Sequence, residues 1–113
     1  MAFYESVFIA RQDLGATQVA TLAKDLSEVV ANNGGEVVRV DNWGLKNLAY
    51  RIKKNRKGYY VILNLNAESK AINELERVMR FNEDIIRYLT VKVDAISEEA
   101  AYNSSSVAED VEK

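Results

Sequence analysis

Residues 39–57 carry seven bases (Arg39, Lys46, Arg51, Lys53, Lys54, Arg56 and Lys57) against one acid, Asp41. Cations packed this densely are suited to phosphate contact, which needs charge and reach rather than a shaped pocket. The same pattern also reads as a solvated, lysine-rich edge that resists strand-to-strand aggregation. Catalytic chemistry has little to work with. The 113 residues include no His and no Cys, which removes His-assisted nucleophiles, thiol chemistry, disulfides and ordinary zinc sites. No GxGxxG or GxxxxGK[ST] run occurs, so neither a dinucleotide fold nor a phosphate-binding P-loop is indicated. The carboxylates are scattered and no pair stands out. The expectation is a binding protein that is not an enzyme, with no cofactor, no metal and no small-molecule substrate.

The formal net charge of −2 is unevenly spread. Residues 94–113 hold six acids (Asp94, Glu98, Glu99, Glu109, Asp110, Glu112) and one base, Lys113, whereas residues 1–93 hold fourteen bases and eleven acids. The length suits one modest domain. No apolar run approaches the roughly 18 residues that a membrane span requires, and the first residues lack the pattern of a signal peptide. A cytoplasmic protein with no membrane partner is expected.

The elements that must position these cations follow from periodicity. Phe3-Tyr4-Glu5-Ser6-Val7-Phe8-Ile9 reads as a strand. Val19, Leu22, Ala23, Leu26, Val29 and Val30 form one helical stripe, which Gly34-Gly35 stops. A second strand starts near Glu36-Val37-Val38 and runs to Ile52, with a bulge at Trp43-Gly44. Lys53-Lys54-Asn55-Arg56-Lys57-Gly58 reads as a turn, and Tyr59 to Leu65 as the third strand. Ile72, Leu75, Val78 and Met79 mark a second helix opening within Asn66 to Ser69. Ile85 to Val93 is the fourth strand. Beyond Asp94 the serines and acids leave too little apolar surface to offset chain ordering. The organisation is therefore a domain over 1–93 and an acidic, Ser-rich disordered tail over 94–113.

The order β-α-β-β-α-β predicts an α+β fold, the ferredoxin-like split βαβ: a four-stranded antiparallel sheet with two helices on one face and strands one and three central. Both central strands are apolar on both faces, and two helices cover only one. The uncovered face is expected to be exposed and to carry a protein partner through Val7, Tyr60 and Ile62, so that Asp at Tyr60 or Ile62 leaves the fold intact. Trp43 is a further partner contact or a bulge residue capping the core edge. Leu48 and Tyr50 read as core. Tyr4 either stacks on a base or packs under a helix, and Arg77 either contacts RNA or pairs along its helix with Glu74 or the neighbours of Glu76.

Two families share this topology. Lys57-Gly58-Tyr59 resembles the opening of the third-strand signature of RNA recognition motifs, which then fails: Tyr60 replaces a small residue and Val61 and Asn64 replace aromatics. A closer resemblance covers residues 3–93. Tyr4-Glu5, Trp43-Gly44, Leu48-Ala49-Tyr50, Gly58-Tyr59, Glu74-Leu75-Glu76-Arg77, Phe81-Asn82 and Ile86-Arg87 stand in the order and spacing of the bacterial small-subunit (30S) ribosomal protein family S-six. That resemblance implies a structural, non-enzymatic component of the small ribosomal subunit. It implies binding to small-subunit ribosomal RNA together with a second ribosomal protein, S-eighteen. Lys46, Arg51, Lys53, Lys54, Arg56 and Lys57 are the first candidates for RNA contact, with Arg80, Arg87 and Lys92 next. Arg51 stands where the family usually has proline. A ferredoxin-like sensor that homo-oligomerises through its open sheet, or a stand-alone RNA recognition motif, remains the alternative.

Overall fold

The computed structural model describes residues 2–94, so all of the tail reading beyond Asp94 lies outside the described residues. Six elements follow in the expected order: β1 (Ala2–Arg11), α1 (Ala16–Asn32), β2 (Glu36–Ile52), β3 (Asn55–Ala67), α2 (Ser69–Phe81) and β4 (Ile85–Val93). The strands form one sheet in the order β2-β3-β1-β4, with every neighbouring pair antiparallel. Each β-α-β unit thus leaves room for one strand between its own two, and β1 and β3 are central, as the split βαβ requires.

Alternation along the central strands separates two clusters. On the helix side, Phe8, Ala10, Val61, Leu63 and Leu65 pack against Val19, Leu22, Leu26 and Val30 of α1 and Ile72, Leu75 and Met79 of α2. Tyr4 packs onto this cluster, under the helices. At the end of α1 the Gly35 N–H donates to the Val30 carbonyl at 2.9 Å.

The opposite face departs from expectation. Val7, Tyr60 and Ile62 are buried, at 7, 0 and 0% exposure, in a second cluster with Ile9, Ile52 and Ile86. They are core residues of this chain and not an exposed contact surface. The reason lies in β2. It bulges at Trp43, where the register shifts between Asn42 and Gly44, and Gly44 takes φ +75°. It leaves the ladder on β3 after Asn47 and rejoins it at Ile52. Trp43 and Leu48 pack against the second cluster, and Ile52 is part of it. Tyr50, expected in the core, is 47% exposed, because the irregular stretch breaks the alternation that tied it to Leu48 and Ile52. Among the described residues, this face does expose Leu89 and Val91 on β4, opposite Val7 and Glu5.

Candidate nucleic-acid interface

The basic segment is built on a tighter hairpin than its sequence suggests. Ile52 pairs with Asn55, leaving Lys53-Lys54 as the whole turn, so β3 starts four residues before Tyr59. Both lysines are left-handed, with φ of 48° and 71°, as a two-residue type I′ turn requires. Asn55 secures it: its Nδ2 donates to the Ile52 and Lys53 carbonyls at 3.2 and 3.0 Å. Gln12 holds the next turn of chain from the end of β1. Its N–H donates to Asn55 Oδ1 at 3.0 Å, and its Oε1 accepts from the Arg56 and Lys57 N–H groups at 3.3 and 3.1 Å. Gly58 lets β3 close on β1, since a Cβ there would stand 2.2 Å from Ile9 Cγ2.

A left-handed residue other than glycine costs roughly 1–2 kcal/mol, and Asn-Gly is the pair this turn favours. Replacing Lys53-Lys54 by Asn-Gly is therefore expected to stabilise the isolated protein by about 1 kcal/mol, a gain of about 4–8 °C in thermal midpoint for a domain of this size. The same variant is expected to bind RNA more weakly. A thermal melt and a binding titration on one preparation check both halves.

A second set of cations comes from the corner between α2 and β4. Asn82 Oδ1 accepts from the Asp84 N–H at 2.8 Å, the Ile85 N–H donates to the Asn82 carbonyl at 3.1 Å, and the Arg11 N–H donates to the Asp84 carbonyl at 2.9 Å. Arg11 Nε also meets Asp84 Oδ1 at 2.7 Å. The corner is thereby tied to the end of β1, beside the hairpin. A cleft of about 250 Å³ opens there, lined by Lys53, Met79, Arg80, Ile85, Ile86, Arg87 and Tyr88. Three cations from three separate segments thus share one concavity.

Pairing sorts the bases into two groups. Arg11 bridges Asp13 and Asp84, Arg39 meets Asp41 at 3.1 Å, and Arg77 meets Glu74 at 2.5 Å. The Arg77–Glu74 pair is the one expected from helical spacing, and the arginine holds the Glu74 carboxyl below its usual range. Among the described residues, none of Lys46, Arg51, Lys53, Lys54, Arg56, Lys57, Arg80, Arg87 and Lys92 enters a salt bridge. Lys46, Arg51, Lys53, Lys54, Arg56 and Lys57 are all exposed along one hairpin. Lys92 is not brought to this group. It stands opposite Tyr4 on the helix side, beside Glu68 and Ser69, roughly 17 Å along β4 from Arg87 at strand rise.

The hairpin also disposes of the stacking signature. Tyr59 points to the helix-side cluster, so the sheet offers no ring from Lys57-Gly58-Tyr59 to a base, and Gly58 is there for strand packing. An exposed ring exists elsewhere, unremarked as a contact in the sequence. Phe81, the last residue of α2, is 73% exposed with the Arg80 guanidinium 5.3 Å from its centroid. Its place just beyond the stripe Ile72, Leu75, Val78 and Met79 is the signal that marks it as off the core.

On the open face, Glu5 stands opposite Asn64, and Arg39 stands opposite Asn64 on the other side. Glu5 Oε2 and both side-chain polar atoms of Asn64 are buried with no hydrogen-bond partner among the described residues. Burial pushes the Glu5 carboxyl above its usual range, because loss of water disfavours the anion. With the folded value raised above the unfolded one, the folded state holds the proton more tightly. Glu5 is therefore least unfavourable below the ordinary Glu range and costs stability as pH rises through its raised value. Glu5→Gln is expected to raise the thermal midpoint at pH 7 and to leave it nearly unchanged at about pH 4. Parallel wild-type and variant curves across that range would mean that Glu5 is solvated.

The family model of "Ribosomal protein S6" matches residues 3–92, nearly all of the described domain. The chain belongs to the ribosomal protein S6 family. A relative from Zymomonas mobilis, a small ribosomal subunit protein bS6, is 56% identical over 95 residues, covering 84% of this chain and 77% of that protein. Another bS6, from Paramagnetospirillum magneticum, is 52% identical over 98 residues, covering 87% and 68%. The crystal structure of 30S ribosomal protein S6 from Thermotoga maritima superposes with a TM-score of 0.77 at 26% identity, over 81% of this chain and 87% of that one. As a member of this S6 family, the chain is a structural, non-enzymatic protein of the small subunit, in the cytoplasmic ribosome. Arg51 falls in the stretch where β2 has left the ladder on β3.

Proposed function

We propose that this S6-family chain binds small-subunit ribosomal RNA through the exposed hairpin cations and the Lys53–Arg80–Arg87 cleft, cooperatively with the ribosomal protein S-eighteen. The observation that carries the RNA contact is the set of hairpin and cleft cations that have no acidic partner among the described residues, gathered at one end of the sheet. The turn supports it, since lysines occupy two left-handed positions where Asn-Gly is the cheaper choice. Charge of this kind positions a protein on a phosphate backbone without reading sequence.

Cooperation is supported by what the domain lacks. Residues 1–93 carry fourteen bases and eleven acids, a small excess for an independent RNA binder. The half-buried Trp43 and the exposed Leu89 and Val91 offer an apolar surface on the side away from the helices. Val7, Tyr60 and Ile62 lie beneath that surface and support it from within.

The test is a titration of small-subunit ribosomal RNA with this protein alone and then with S-eighteen at saturation. The expected result is weak binding alone and at least tenfold tighter binding with the partner. Equal affinities would remove S-eighteen from the reading and leave an independent RNA binder. In a gradient of cell lysate the protein is expected to sediment with the small subunit.

A further inference from the structure

We infer that Phe81 and the neighbouring Lys53–Arg80–Arg87 cleft together form a site for one unpaired ribonucleotide, the base stacked on the exposed ring and its phosphate in the cleft. The inference rests on the RNA-binding reading above and adds to it a recognition of single-stranded rather than helical RNA.

Three observations meet at this point. Phe81 is the most exposed large apolar side chain among the described residues, at 73%. Its main chain is anchored, since the α2–β4 corner that follows it is fastened to β1 through Asn82, Asp84 and Arg11. An exposed aromatic on an anchored main chain offers a π face to any base, which is how single strands are gripped without sequence reading. Arg80 joins ring and cleft: its guanidinium stands 5.3 Å from the Phe81 centroid, and the residue is among those that line the concavity shared by Lys53 and Arg87. Ring and cleft thus share Arg80, and Phe81 follows it directly in the chain, so the two lie within the reach of one nucleotide.

Charge decides the class of occupant. The cleft holds three cations, and no acid lines it, so a phosphate is favoured there over a basic peptide. Phe81 itself lines a second, shallow groove with Arg77, Val78, Asn82, Glu83 and Asp84. Two of its charged groups are already engaged, Arg77 with Glu74 and Asp84 with Arg11, which leaves Glu83 as its one charge outside a salt bridge among the described residues and disfavours a phosphate on that side of the site. A flat, uncharged base suits it. A base still inside an A-form helix presents no free face, which is why the site selects an unpaired nucleotide.

The test uses the full chain and two probes, a hexameric oligoadenylate and an RNA duplex with the same number of phosphates. Phe81→Leu keeps apolar bulk at an exposed position and removes the π face, so the fold is retained, as a thermal melt checks. For the wild type, oligoadenylate is expected to move the Phe81 ring proton resonances upfield, and inorganic phosphate is expected to leave them in place. Phe81→Leu is expected to weaken oligoadenylate binding by about five- to hundredfold, the range that loss of one stacked base produces, and to leave duplex binding unchanged. Arg80→Gln is expected to weaken both. Equal loss for single strand and duplex, or no loss for either, overturns the nucleotide site while leaving the RNA-binding reading intact. Failure of the wild type to bind oligoadenylate overturns the nucleotide site, whereas the RNA-binding reading is decided by the titration of small-subunit RNA with S-eighteen present.

Discussion

Ile62→Asp is expected to destabilise the isolated domain by at least about 4 kcal/mol, the range reached when a charge is buried without a partner. For a domain of this size that lowers the thermal midpoint by roughly 15 °C or more and removes a large share of the roughly 5–15 kcal/mol by which ordinary domains are stable. Ile62 has no exposure and is packed with Val7, Ile9, Ile52, Tyr60 and Ile86 on the side of the sheet that the helices do not cover. Leu89→Asp, on the same face but 43% exposed, supplies the comparison and is expected to change stability by less than about 1 kcal/mol. Urea unfolding of the two variants beside the wild type distinguishes a second core from an open docking face. Matching midpoints for Ile62→Asp and wild type would show that this face is solvated. The consequence for function is direct: a partner-binding defect caused by substituting Tyr60 or Ile62 would report a damaged fold, whereas one caused by Leu89 or Val91 would report the contact.

Replacing Lys53, Lys54, Arg56 and Lys57 together by Gln is expected to reduce the slope of log affinity against log salt by about 3, since each lost phosphate contact removes roughly 0.7 to 0.9. At physiological ionic strength that corresponds to a loss of affinity on the order of a hundredfold or more. The substitution costs the fold little, because all four side chains are exposed and none forms a salt bridge among the described residues. The hydrogen bonds that hold the hairpin run through Asn55 and Gln12, and from the main chain of Arg56 and Lys57. Binding measured across a range of salt, with S-eighteen present, gives both slopes. Identical slopes for variant and wild type would leave the segment a solubilising edge. Lys92→Gln, remote from the hairpin and cleft, is expected to change the slope by no more than one contact's worth.

Patterns of a few residues were enough to specify the element order, the central strands β1 and β3, the apolar stripes of both helices, the bulge at Trp43-Gly44 and the Arg77–Glu74 pair. Each depends on a period of two or 3.6 residues or on spacing within one turn, and such local geometry is written directly in sequence. The resemblance to the S6 family was also legible, because short motifs kept their order across the whole domain. What the tertiary structure alone decided involves segments far apart in the chain. The six-residue run from Lys53 to Gly58 became a two-residue turn because Gln12, some forty positions earlier, engages Asn55, Arg56 and Lys57. Alternation shows that Val7, Tyr60 and Ile62 share a face away from the helices, but not that β2 leaves its ladder and sends Leu48 and Ile52 onto that face. Charge counting finds Lys53, Arg80, Arg87 and Lys92 alike. Only the folding of the α2–β4 corner onto the end of β1 brings the first three around one cleft and leaves Lys92 on the helix side, opposite Tyr4. Periodicity fixes which way a side chain faces along its own element, whereas a site is made where different elements meet, and that meeting is set by long-range packing and hydrogen bonding.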